Sequence, residues 1–278
     1  MIGISNSIFK ANVKAGGGAP AYDANAQAYF TANTTITSTA DKNAINAFYL
    51  GLKSDGIYTK IKAMYLPIWG SASASKWNLV NPADTNAAFR LTFATGMTFT
   101  SNGMTGNGTT GYAITQLVPN TNLTNNTTSF GIYCRTNSDA LQYDCGIQRT
   151  TGTTGAFNLL TRYSNNLYSD HYNNATNRIL TANTNSQGFY QSIRTTSTSF
   201  KVFKNNAQLG TTNTNASSGF SGLTDSFLIG CLNDTGTPSF YSTRQYSFSY
   251  LGNGLTDTDA SNFYTRVNTL MTYFGINV

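Results

Sequence analysis

The sequence predicts a mainly β protein: an antiparallel jelly-roll β-sandwich with a small N-terminal helical region and a C-terminal helix. Three observations carry this. Asn and Thr together make up about a quarter of the chain and 25 glycines join them; Asn and Gly suit tight turns, while Thr suits strands. Aromatic residues reach 13% and charged residues only 10%, the reverse of a disordered composition. From about residue 67 the apolar residues recur at every second position in short runs with no helices between them, which points away from parallel βαβ units and toward a sandwich.

A chain of 278 residues is long enough for one large core with an appendage. The pattern divides it into an N-terminal docking arm over 1–21, a helical region over 22–66 and the β-sandwich with its C-terminal helix over 67–278. The arm is poorly patterned and ends in "AGGGAPA", a flexible joint. Asp23 can cap "ANAQAYFTA", and Ser38 or Thr39 can cap the next helix, in which Ile45, Tyr49 and Leu52 share a face before Gly56 stops it. "IYTKIKAMYLP" is expected to add one more short helix, closed by Pro67.

The strands follow in order: "FRLTF", "SFGIYC", "YDCGI", "FNLLTRY", "GFYQSIR", "SFKVF", "SFLIGCL" and "YSFSYL". "TNSDAL", between the second and third, is expected to be a hairpin connection. After the last strand "GNG" breaks the run, and Thr256 to Asp259 fits a capping box. Asp257 and Asp259 then sit at the positive end of the helix dipole. Phe263, Val267, Leu270 and Phe274 fall on one face, so this helix is expected to cover an end or face of the sandwich or the helices before it.

The chemistry-bearing residues are sparse. All 11 acidic residues are Asp; there is no Glu, and no two aspartates form a paired-carboxylate motif on one strand face. His171 is the only histidine. Beside Asp170 it would point to the opposite face of a strand, and alone it cannot build a zinc site. Cys134, Cys145 and Cys231 lie in apolar strands without CxxC spacing and are expected to be reduced core thiols.

The net charge of +6 is concentrated toward the N-terminus. No nucleic-acid-binding motif accompanies it, no phosphate loop is present, and no apolar run reaches membrane-spanning length. No signal-peptide pattern opens the sequence. Neither a metal nor a cofactor is expected. Sugar binding has a better compositional basis, because aromatic rings stack on sugars while Asn and Asp bond hydroxyls. "RYSNNLYSDHYNN" gathers Tyr163, Tyr168, Asp170, His171 and Tyr172, and Trp69 and Trp77 flank a Ser/Ala-rich loop; these seven are the candidate ligand-binding residues.

Several stretches resemble a known family. "KNNAQLGT" (204–211), "SFLIGCLNDTG" (226–236) and "YSTRQYSFSYLGNGLTDTDASNFYTRVNTL" (241–270) resemble the closing third of concanavalin A-like, laminin-G-type jelly rolls. With 28–70, 74–93 and 188–209, they look similar to sandwich domains of tailed-bacteriophage virion proteins, including tail and head fibres. Asn206 stands where that family often carries a hairpin glycine. The resemblance implies a non-enzymatic virion structural protein, made in the host cytoplasm and carried on the particle. Its arm, with Lys10 and Lys14, would dock on other virion proteins, and its copies would form a homo-oligomer, a trimer by preference, that meets a host surface glycan. The alternative is a free, lectin-like carbohydrate-binding protein; a polysaccharide-degrading enzyme is a third reading.

Overall fold

The computed structural model describes residues 21–151, 154–172 and 177–278; Lys10 and Lys14 lie outside them. Two sheets face each other. The first has the order Ala207–Asn213, Ser199–Lys204, Gly188–Thr196, Thr128–Cys134, Gln245–Asn253, Gly103–Gly106 and Met97–Thr100, with Ile61–Tyr65 also paired to Gln245–Asn253. The second has the order Ile179–Ala182, Asn166–His171, Gly155–Tyr163, Cys145–Arg149, Leu228–Ile229, Ala113–Ile114 and Thr92–Phe93. A small hairpin, Leu232–Asp234 with Thr237–Ser239, lies beside Cys145–Arg149. The architecture is the expected mainly β sandwich of antiparallel sheets with a C-terminal helix.

Alternation along the strands builds two cores. Phe130, Ile132, Tyr190, Phe157, Leu159 and Leu167 fill the space between the sheets. The intervening residues of the first sheet, Tyr133, Phe189, Ile193, Phe248 and Tyr250, point the other way and meet the helices Ala24–Ala32, Thr39–Ser54 and Asp257–Tyr273. Phe263 sits at the centre of that contact, with its ring 4.7 Å from Tyr250, 5.7 Å from Phe189 and 6.0 Å from Phe248. The capping box holds as expected: Thr256 accepts from the Asp259 N–H, and the Asp259 carboxylate accepts from the Thr256 N–H. Asp23 and Ser38 cap the first two helices. All three cysteines are free and buried.

Three local expectations are corrected. Residues 61–65 form a strand in place of a third helix, because Ile61 and Met64 face the helical layer while Ala63 and Tyr65 face the inter-sheet core. "TNSDAL" does not close a hairpin, since the strands on either side of it belong to different sheets. The crossing loop is instead pinned by fully buried Arg244, which donates to the carbonyls of Ser138, Ala140, Gln142 and Arg162 and is paired at 3.2 Å with equally buried Asp144. "SFLIGCL" is broken in two at Gly230, whose φ of 84° few other residues adopt.

Candidate functional site

With helices over the first sheet, the second sheet's outer face carries only a small cluster: Tyr143, Leu160 and Leu232, with Tyr168 packed against them. Strand Asn166–His171 supplies it by simple parity. Leu167, Ser169 and His171 point into the sandwich, leaving Tyr168 and Asp170 on the outside. Opposite Asp170 on the next strand stands Asn158, and opposite Asn158 stands Gly146. A Cβ at Gly146 would lie 2.3 Å from that of Asn158, so the glycine is what lets the two strands pair there.

Arg178 ties this face together. Its Nε and Nη2 donate to the two Asp170 oxygens at 3.2 and 2.7 Å, and its guanidinium carbon lies 5.7 Å from the Tyr168 ring centre. Burial pushes the Asp170 carboxyl above its ordinary value, against the pull of Arg178. Burial also pushes the Tyr143 phenol up, again opposed by the neighbouring guanidinium. The fully buried Asn158 amide lies close enough to Asp170 to favour its ionised form. Around the rim, Tyr163 and Phe240 are exposed, with ring centres 6.1 Å from Tyr168 and 5.7 Å from Tyr143. A cleft of about 280 Å³ lined by Gln148, Ala156 and Arg178 opens at the end of this face.

The seven sequence candidates do not come together. Tyr163, Tyr168 and Asp170 belong to this face. His171 and Tyr172 do not, and a role for them in contacting a ligand is corrected: both are buried between the sheets. His171 lies within hydrogen-bond distance of Thr128 Oγ1 (2.7 Å) and Ser192 Oγ (3.0 Å), and burial, with Arg194 nearby, holds its pKa well below the usual range. Tyr172 lies against Thr128 and Phe220. Trp69 and Trp77 pack into the helical layer on the far sheet; Trp69 donates to the Tyr29 hydroxyl at 2.8 Å and rests edge-on against Phe274.

Tyr143, Asn158 and Arg178 were missed. The available signal was the alternation in "AFNLL", which sets Asn158 on the face opposite Phe157 and Leu159. Among the described residues, no cluster of three or more His, Cys or Asp could hold a metal ion.

No protein-family model matches the chain, and no curated protein matches it. Solved structures do. A mutant of Trypanosoma rangeli sialidase displaying trans-sialidase activity is similar with a TM-score of 0.54 at 10% identity, over 81% of this chain and 39% of that one. Trypanosoma rangeli sialidase in complex with sialic acid gives 0.52 at 11%, over the same shares, 81% and 39%. Domain 4 of AbnA, a GH43 extracellular arabinanase from Geobacillus stearothermophilus, in complex with arabinotriose, gives 0.50 at 13%, over 74% of this chain and 98% of that domain. The chain therefore spans about two-fifths of the sialidases' length and nearly all of the arabinanase domain. Identities this low show a shared fold.

Two expectations are corrected by these neighbours. The reading as a bacteriophage virion structural protein gives way, because these neighbours are sialidases and an arabinanase domain with no connection to a phage particle. The reading as a non-enzyme gives way on the same finding: sialidases and an arabinanase domain carry this fold, so the fold does not set the chain apart from enzymes.

Proposed function

We propose that the chain is a lectin-like carbohydrate-binding module whose binding surface is the outer face of the second sheet. The observation that carries this is the set of tyrosines, Tyr143, Tyr163 and Tyr168, grouped around a fixed Asp170–Arg178 pair. Rings supply apolar walls for the sugar, and the guanidinium supplies directional bonds to hydroxyls. A neighbouring domain, nearly all of which the match covers and which was solved with arabinotriose, supports the same reading.

A glycan array with purified protein, followed by calorimetry on the positives, tests it. Affinity that falls about tenfold in Tyr168→Ala, with the chain still folded, is the expected result. Failure to bind any saccharide at millimolar concentration would remove the proposal.

A further inference from the structure

Two clefts meet at Arg178. The first is the one of about 280 Å³ at the end of the open face, where Gln148, Thr150 and Thr154 share the lining with Arg178. The second, of about 270 Å³, runs between Leu180 and the segment 210–215 and is walled by Thr211, Thr212, Asn213 and Thr214. Its two sides come from Ile179–Ala182 and Ala207–Asn213, the edge strands of the two different sheets. It thus follows the seam where the sheets approach, close enough that a Cβ at Gly210 would lie 3.2 Å from Thr181.

Apart from Arg149 in the first cleft and the shared Arg178, the walls of both clefts are uncharged amides, hydroxyls and apolar groups, which suits a hydroxyl-rich ligand. The divider between them is held in place. Arg178 is gripped at two points by a fully buried carboxylate and lies near the Tyr168 ring, so it presents a fixed edge instead of a free surface side chain. A guanidinium has five N–H donors, of which Asp170 takes two and the neighbouring Tyr143 hydroxyl engages another. Each cleft alone is just below the roughly 300 Å³ at which pockets begin to enclose a small organic ligand, and the pair together exceeds it.

We infer that the site takes a linear oligosaccharide laid across Arg178, with sugar units in both clefts, and that a single terminal sugar fills only part of it. Arg178 bridges hydroxyls of consecutive units, while Asp170 acts as its positioning residue. This inference rests on the carbohydrate reading above and adds chain length to it.

The test is a set of solution titrations with arabino-, xylo-, cello- and manno-oligosaccharides of one to six units. In any series that binds, chains of three or more units should bind about tenfold or more tightly than the monosaccharide. Thr214→Leu, in the second cleft alone, should weaken the longest probe about tenfold while leaving the shortest probe and the melting temperature unchanged. Thr154→Leu should likewise weaken the longest probe from the first cleft. Equal affinity for one unit and six, or long-chain binding indifferent to either leucine, would overturn the two-cleft site and leave a sugar-binding face standing. Failure of every probe, together with a blank glycan array, would remove both.

Discussion

The two outer faces of this sandwich use the same residue types for opposite ends. On the first sheet, Phe189, Phe248 and Tyr250 are wholly buried because Phe48 and Phe263 from the helices close over them. On the second, Tyr168 is only half-buried, Tyr163 is exposed, and the Asp170–Arg178 ion pair lies beside them. Ring against ring is a packing solution that excludes water. Ring beside a partly exposed guanidinium leaves donors for an incoming molecule. Aromatic content alone therefore identifies neither face; what the rings touch does.

The contrast breaks first at Phe263. Phe263→Ala should cost about 3–5 kcal/mol, since it opens a hole among three rings; thermal and denaturant melts would show it, and sugar binding by the folded fraction should be unchanged. Tyr168→Ala should do the reverse, lowering sugar affinity about tenfold, or about 1.4 kcal/mol, with a loss of stability below that of Phe263→Ala. If both variants lose stability equally and neither loses binding, the faces do not differ as described.

Asp259→Asn should cost about 1 kcal/mol by weakening the capping box. It also sharpens the contrast through pH. Burial opposes ionisation of Asp259, but hydrogen bonds from Lys60 and Thr256 overcome this and hold its pKa below the ordinary 3.8. Its stabilising contribution is present above that ordinary value and is lost as pH falls through the lowered one. Asp170, raised by burial, has the opposite sign: its contribution is complete below the ordinary value and is lost as pH rises through the raised one. Stability profiles of Asp259→Asn and Asp170→Asn relative to the unmodified chain, measured from pH 3 to 7, should therefore slope in opposite directions. Lys201→Ala should do least, under about 1 kcal/mol, because its partner Asp257 is largely exposed.

The sequence announced what is local. Caps at Asp23, Ser38 and Thr256 could be read from a few adjacent residues, and so could the period-two runs. Strand 61–65 could not, because what makes it a strand is its pairing with 245–253 near the other end of the chain. The crossing loop was misread for the same reason: neighbours in sequence are not neighbours in a two-layer sheet. At the site, Tyr163, Tyr168 and Asp170 stood out as a dense stretch of one strand. Tyr143, Asn158 and Arg178 come from three other segments, and only strand pairing brings them to Asp170. The misplaced tryptophans show the converse, since large rings near a small-residue loop served the helical layer.

The helical cover is sewn on by contacts far apart in the chain. Lys60 meets Asp259 across 199 residues, Arg266 meets Asp55 across 211, and Tyr273 meets Asp41 across 232. Closing loops of that size is entropically unfavourable until many contacts form together, and folds built from such contacts assemble slowly. During synthesis the strands bearing Phe189 and Phe248 must therefore wait, apolar side outward, for the last helix to leave the ribosome. The face that ends up most thoroughly sealed is the one longest at risk of sticking to something else.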